Sequence, residues 1–194
     1  MMQKTVAQFL TSFIFLCISG AAFAHTGLDV SGLSAGLIHP ITGADHLLAM
    51  VAVGLWAAQN GGRKIWLLPA AFMLMLAVGA DRALVYPSLP LVEPGIAASV
   101  LILGVVTALS LKVPALLSVT MTAVFGFLHG YTHGLEMPGA TEPETYALGF
   151  LATTMALHVS GIVIGVTTRG RLTYLAQMLG TGIAASGVWM LSTI

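Results

Sequence analysis

Histidine and carboxylate side chains are concentrated in two short segments of an otherwise apolar chain. Each segment holds three of them: His39, Asp45 and His46 in the first, and His129, His133 and Glu136 in the second. His129 and His133 are four residues apart, so on a helix both imidazoles leave the same face. That spacing lets one helix offer two nitrogen ligands to a metal ion, and carboxylate is a compatible third ligand. The two segments therefore predict a metal site between two helices.

The surroundings of the first segment make its polar side chains costly. An aspartate at the centre of a membrane-spanning helix costs about 2.5–3.5 kcal/mol on insertion scales, so Asp45 requires a partner or a role. Pro40 lacks an amide hydrogen and Gly43 adds backbone freedom, which predicts a first helix broken at Pro40/Gly43. Inside a bilayer such a break is tolerated where the freed backbone groups line a cavity or meet a ligand. We therefore expect the first segment to form the centre of the metal site.

Two further histidines are candidate metal ligands outside these segments. His158 is flanked by hydroxyl residues in an apolar stretch, and a hydrogen bond to a backbone carbonyl is the alternative role for it. His25 follows a predicted signal-peptide cleavage site. There its free amine and imidazole could chelate a metal together, or it could simply be the first residue after cleavage.

The composition of the chain indicates a bilayer environment for the elements that carry these residues. Of its 194 residues, 57% are hydrophobic and 7% are charged, whereas soluble domains carry about 25% charged residues. The mean hydropathy is +0.96. Seven basic residues balance seven acidic ones, so the chain lacks the basic excess typical of nucleic-acid binding. We predict an all-α, polytopic helix bundle in contact with lipid.

The N-terminal residues are typical of a secretory signal peptide. Lys4 precedes an apolar core of about ten residues, which is too short to span a bilayer, and Ala22-Phe23-Ala24 forms a small-x-small cleavage site. We predict a signal peptide over residues 1–24 and a single six-helix transmembrane domain over residues 25–194. The only cysteine, Cys17, lies in the signal segment, so we expect neither disulfides nor thiolate ligands in the mature chain.

Six apolar windows in the remaining chain are long enough to be membrane-spanning helices. They are residues 31–58, 65–85, 95–111, 113–134, 145–167 and 172–191. Five of the six basic residues that remain after cleavage fall in alternate loops: Arg63, Lys64, Lys112, Arg169 and Arg171. Because cytoplasmic loops are enriched in basic residues, we predict a bacterial inner-membrane protein with both mature termini in the periplasm. Both histidine segments then lie in the periplasmic half.

The types of ligand limit the choice of metal ion but do not identify a single one. Imidazole and carboxylate without thiolate suit Ni²⁺, Co²⁺, Zn²⁺ or Fe²⁺ and disfavour Cu⁺. Because imidazole must be neutral to bind a metal, we expect binding to weaken below about pH 6. Two other classes of protein are compatible with these residues. One is a membrane b-type cytochrome, in which facing histidines are haem ligands, and the other is a membrane protein that binds a metal ion without transporting it.

Two motifs resemble those of the HupE/UreJ family of nickel permeases. The segment HPITGADHLLAMVAVG at residues 39–54 matches the family's signature at every defined position, and HGYTHGLEMP at residues 129–138 is similar to its second block. The resemblance covers essentially the whole mature chain. It implies that the six residues of the two segments handle the metal.

The same resemblance implies Ni²⁺ uptake from periplasm to cytoplasm, in support of hydrogenase or urease maturation. Nickel would be the transported substrate, and we expect no permanent cofactor. We expect a permease and not an enzyme. The chain contains no Walker A sequence, so we predict that this permease has no ATPase of its own and is driven by the metal gradient, the membrane potential or protons. A homo-oligomer is compatible with the sequence.

Overall fold

The computed structural model describes residues 32–86, 89–137 and 142–194. All regular structure within these ranges is helical, which confirms the all-α prediction. The helices are α1 (Gly32–Thr42), α2 (Ala44–Asn60), α3 (Lys64–Val85), α4 (Val92–Ala108), α5 (Ala115–Glu136), α6 (Pro143–Thr167) and α7 (Thr173–Ser192), with a 3₁₀ turn at Gly170–Leu172. The predicted signal peptide at residues 1–24 and the candidate ligand His25 lie outside the described residues.

Several helices are long and apolar enough to cross a membrane. Three meet both conditions alone, namely α3, α5 and α6, and α1 and α2 meet them together as one bent pair. Helix α4 is apolar but has 17 residues. Helix α7 has 20 residues but does not meet the hydropathy condition. Length and composition therefore define three spans, or four with the bent pair, in a multi-pass membrane protein.

The first apolar window contains a sharp bend. Helix α1 ends at Thr42, α2 begins at Ala44, and the two are bent by 79°. Gly43 between them has an extended backbone with φ −86° and ψ 115°. Pro40 lies inside α1, so the interruption falls at Gly43 and not at the proline. The Thr42 hydroxyl donates to the His39 carbonyl at 2.9 Å, which satisfies one carbonyl at the helix end.

Helix α2 lies at the centre of the bundle. Every residue from Ala49 to Ala58 is buried, and α2 contacts α1, α3, α4, α6 and α7. A helix that is apolar on all sides is stable only where other helices surround it. His46, close to the start of this helix, is likewise buried in the bundle.

Glycines bring α3 and α5 into backbone contact. A Cβ atom on Gly126 would clash with the Phe72 carbonyl, and one on Gly130 with the Leu76 carbonyl. Small residues at such crossings allow the close packing on which helix association in lipid depends. Because Gly130 follows His129 directly, this packing fixes the height of the histidines of α5 against α3.

Glycines also bring α6 into backbone contact with both helices of the bent pair, α1 and α2. A Cβ on Gly36 of α1 would meet the Tyr146 carbonyl, and one on Gly54 of α2 would meet the His158 carbonyl. The Thr153 hydroxyl of α6 also donates to the Leu37 carbonyl of α1 at 2.9 Å. Helix α6 therefore spans both halves of the broken element and holds them in register.

Basic residues gather at the end of α2 that is remote from the histidines. Arg169 donates to the Ala58 carbonyl at 2.5 Å, and Lys112 donates to the Gln59 carbonyl. These carbonyls have no partner within the helix, and positive charge is favourable at a helix C-terminus. Two basic residues assigned to different loops thus meet at one end of the bundle.

Candidate metal centre

An outer group of three side chains lies where α1 meets the end of α5. Glu136 Oε2 is 3.2 Å from His39 Nε2 and 3.8 Å from His133 Nδ1. One ligand atom from each residue lies within 4.8 Å of the others. Two atoms bound to one ion at about 2.1 Å can be at most about 4.2 Å apart. A small inward movement of these side chains would therefore place all three on a single ion.

The imidazoles continue inward as a row. The ring of His46 lies 3.7 Å from that of His133 and 4.7 Å from that of His129, and His39 is 4.7 Å from His133, all between centroids. We call His39, His133, His46 and His129 the histidine row. His39 is partly exposed, whereas 2% of His133, 4% of His46 and none of His129 is exposed. The row therefore leads from the surface into the bundle.

Asp45 orients the imidazole of His46. Its Oδ1 lies 2.6 Å from His46 Nδ1 and also accepts the His46 backbone N–H at 2.8 Å. A carboxylate only accepts hydrogen bonds, so Nδ1 carries the proton and Nε2 keeps its lone pair. His46 Nε2 is buried with no hydrogen-bond partner among the described residues. A carboxylate behind a ligating histidine is a recurrent arrangement at metal sites.

Ser99 of α4 orients His129 in the same manner. Ser99 Oγ lies 2.7 Å from the Ile96 carbonyl and 2.8 Å from His129 Nε2. The single hydroxyl hydrogen goes to the carbonyl, which can only accept, so His129 Nε2–H donates to Ser99. The opposite tautomer would bury an Nδ1–H, and Nδ1 has no partner in the described part of the chain. His129 therefore presents the Nδ1 lone pair.

Aromatic side chains of α6 line the row. The Phe150 ring lies 4.0 Å from His133 and 6.2 Å from His39, and the Tyr146 ring lies 6.0 Å from His39, between centroids. These rings restrict water around the outer imidazoles. Neither aromatic residue, nor Ser99, stands out in the sequence, because each is an ordinary residue of an apolar helix.

Two clefts reach the outer end of the row. One, of about 290 Å³, lies between α3, α5 and α6, and Asp81, His133 and Glu144 are among its lining residues. The other, of about 320 Å³, includes Glu93 and Glu136. Carboxylates in a low-dielectric cleft raise the local concentration of cations. The first cleft is lined almost entirely by apolar atoms, so the second cleft, which Glu136 itself lines, is the better suited to admit a cation to the row.

The structure places the eight predicted site residues in three ways. The six residues of the two sequence segments come together at the histidine row, with Asp45 and Glu136 beside it. His158 makes no ring contact with the row among the described residues, and the ring of Phe72 packs against both His158 and His129, with centroid distances of 5.2 and 5.6 Å. His25 lies outside the described residues. The metal-binding roles of all eight remain predictions.

An all-helical, multi-pass membrane protein with a row of buried imidazoles is the class that this fold and this site define. The family model described as HupE / UreJ protein matches residues 13–190, so the chain belongs to the HupE/UreJ family. It is 37% identical over 186 residues to Protein HupE of Rhizobium leguminosarum bv. viciae, with 95% of this chain and 97% of that protein covered. No solved structure matches the chain. The family predicted from the two motifs is confirmed.

Proposed function

We propose that this protein is a permease that carries a divalent transition metal, Ni²⁺, from the periplasm to the cytoplasm. The observation that supports this most strongly is the histidine row. Four imidazoles in ring contact descend from the partly exposed His39 to the fully buried His129. Polar groups inside a membrane protein are costly and usually mark an ion or substrate pathway. A stepwise series of ligands suits passage of a cation better than storage at one closed site.

The proposed topology has six spans in the inner membrane after a cleaved signal peptide of residues 1–24. The bent pair α1 and α2 forms the first span, and α3 to α7 form the other five. The basic residues Lys112 and Arg169 at the end of α2 support a cytoplasmic position for that end, because cytoplasmic loops are enriched in lysine and arginine. The histidine row then opens to the periplasm, where both termini also lie.

The proposed pathway begins with exchange of water ligands for protein ligands. Glu136, His39 and His133 capture the ion at the surface, and the ion then moves to His46 Nε2 and His129 Nδ1. Asp45 carries negative charge next to His46, which offsets part of the charge of the ion as it leaves water. Conduction requires release as well as capture, and an incomplete set of ligands at each step keeps binding weak enough for release.

Nickel comes from the family resemblance and not from the ligands. The imidazoles and carboxylates of the row would also accept Co²⁺ or Zn²⁺, so transport of either is the alternative within the same mechanism. Use of the imported nickel for hydrogenase or urease maturation is likewise part of the proposal. A haem-binding role fits less well, because neighbouring rings of the row touch directly and leave no room for a macrocycle between them.

Uptake of radioactive Ni²⁺ by cells that express the protein tests this proposal. His46→Ala removes the imidazole that joins the two halves of the row, and we expect uptake to fall at least about tenfold. Thr122→Val is a matched control, because Thr122 is buried on α5 and its hydroxyl bonds only within its own helix. Undiminished uptake in His46→Ala would contradict the proposal. Competition by excess Co²⁺ or Zn²⁺ measures the selectivity in the same assay.

A further inference from the structure

His158 is a buried imidazole for which the histidine row has no use. It lies on α6 with no exposed surface. The Thr154 carbonyl is near its ring, but neither ring nitrogen reaches hydrogen-bonding geometry with any described residue. Thr154, one turn earlier on the same face, also has a fully buried hydroxyl without a partner there. Buried polar groups normally have partners, so two unpartnered groups on one helix face suggest a ligand.

The position of His158 is deeper than the row along two helices. On α2, the His158 carbonyl packs against Gly54, which is eight residues after His46 and hence about 12 Å further along the helix at 1.5 Å per residue. On α6, Phe150 contacts His133, and His158 is again eight residues further. The two helices give the same depth. His158 therefore lies beyond the row, in the direction of the basic end of the bundle.

The ring of Phe72 packs against both His158 and the deepest imidazole of the row, His129. Phe72 is completely buried on α3, with its ring centroid 5.6 Å from His129 and 5.2 Å from His158. Its backbone is fixed, because the Phe72 carbonyl packs directly on Gly126 of α5. Any movement at this position is therefore a change of the side-chain rotamer. An apolar ring packed against two polar stations forms a constriction that an ion passes only when the ring moves aside.

We propose that His158, with Thr154, forms a second metal-binding station, and that Phe72 is the gate between this station and the histidine row. The inference rests on the proposed transport of a divalent transition metal. One imidazole and one hydroxyl bind such an ion more weakly than the row does, since water supplies the other ligands. Weak binding beyond the gate favours onward release, as conduction requires.

Equilibrium binding tests the station without reference to transport. The purified protein is dialysed against Ni²⁺ up to millimolar concentration, and bound metal is counted for the wild type and for His158→Gln. We expect His158→Gln to bind one Ni²⁺ fewer and to keep the wild-type Kd for the tightest ion. Equal stoichiometry overturns the station. Loss of the tightest ion also overturns it, because His158 would then belong to the row.

A matched variant controls for the loss of a buried polar group. Thr107 of α4 is fully buried and its hydroxyl has no partner in the described ranges, so Thr107→Val makes a comparable change away from both sites. We expect wild-type stoichiometry and Kd for this variant. A loss of one ion here as well would show that the effect of His158→Gln is not local and would overturn the assignment.

Uptake into proteoliposomes tests the gate. A gate changes rates and leaves equilibrium binding unchanged, so Phe72→Leu should keep the wild-type stoichiometry and raise the initial rate at saturating Ni²⁺ about threefold or more. His158→Gln should lower that rate about tenfold or more. An unchanged rate in Phe72→Leu overturns the gate. This test does not depend on His158→Gln, so it remains decisive if that variant does not fold. If wild type binds Ni²⁺ but transports none, the proposed function fails, and the stoichiometry still decides the station.

Discussion

Ser99 offers a sharp test of how the histidine row is organised, because it touches the row through a single hydrogen bond. Its hydroxyl accepts from His129 Nε2 at 2.8 Å and donates to the Ile96 carbonyl at 2.7 Å. In Ser99→Ala the imidazole N–H of His129 has no acceptor at either ring nitrogen, because Nδ1 is also without a partner among the described residues. A metal on Nδ1 fixes the N–H at Nε2 and polarises it, so the lost acceptor costs more in the metal-bound protein than in the free protein.

The size of this effect follows from the burial of the site. Ser99 and His129 have no exposed surface, so water cannot replace the lost acceptor. A buried unsatisfied N–H costs about 1–3 kcal/mol, and 1.4 kcal/mol corresponds to a tenfold change in Kd. Loss of such partners at metal sites typically costs about 10- to 100-fold in affinity. We therefore expect Ser99→Ala to raise the Kd for Ni²⁺ at least about tenfold, measured by equilibrium dialysis of the purified protein.

Ser118→Ala provides the control for Ser99→Ala. Ser118 is equally buried, and its hydroxyl donates to the Pro114 and Ala115 carbonyls of its own helix region at 3.1 and 3.0 Å. The same atom is removed without any contact to an imidazole, so we expect a Kd within about twofold of the wild type. A wild-type Kd in Ser99→Ala, or an equal loss in Ser118→Ala, would refute the reasoning.

Three further predictions concern the bend, the helix packing and pH. A Cβ on Gly43 would lie 3.0 Å from Asp45 Oδ1 and 3.1 Å from His46 Nδ1, so Gly43→Ala should weaken Ni²⁺ binding several-fold in the same dialysis assay. Gly182→Ala is the control, because a Cβ there meets no heavy atom within 4 Å, and it should leave Ni²⁺ binding unchanged. Gly130→Val should separate α5 from α3 and lower the melting temperature of the purified protein, and an unchanged melting temperature would contradict the backbone contact described here. Ni²⁺ binding should weaken as pH falls, because protons compete with the metal for the imidazole lone pairs, and a Kd that is the same at about pH 7 and about pH 4 would contradict histidine ligands.

The residues of the histidine row could be predicted because their pattern is local. His129 and His133 are one helical turn apart, and His39 and His46 flank a proline and a glycine within one short segment. Polar residues in apolar helices are conspicuous wherever the helices pack. That the two segments face each other follows from the need to bury them together, and the ring distances in the structure agree with this expectation.

The supporting residues could not be predicted from the sequence. Ser99 is one of several serines in apolar helices, and only the packing of α4 against α5 brings it to His129. Phe72 has no feature that distinguishes it from other phenylalanines until the packing of α3 brings it against His129 of α5 and His158 of α6. The separation of His158 from the row is likewise a property of helix packing, because sequence position gives no depth relative to other helices.

The exact position of the break in the first apolar window also could not be predicted from the sequence. A proline and a glycine three residues apart both favour a break, and the sequence did not distinguish between them. The helix continues through Pro40 and stops before Gly43. A Cβ at position 43 would crowd the Asp45–His46 pair, which folds back across this residue. The choice depends on a side-chain contact that exists only in the folded chain.

X-ray absorption at the nickel K-edge of the purified, Ni²⁺-loaded protein tests the central claim most directly. The histidine row predicts at least two imidazole nitrogens at about 2.1 Å from the metal, together with oxygen ligands and no sulfur. The imidazole contribution should decrease in His46→Ala. A spectrum with only oxygen ligands, or one that is unchanged in His46→Ala, would contradict a role for the row in metal binding.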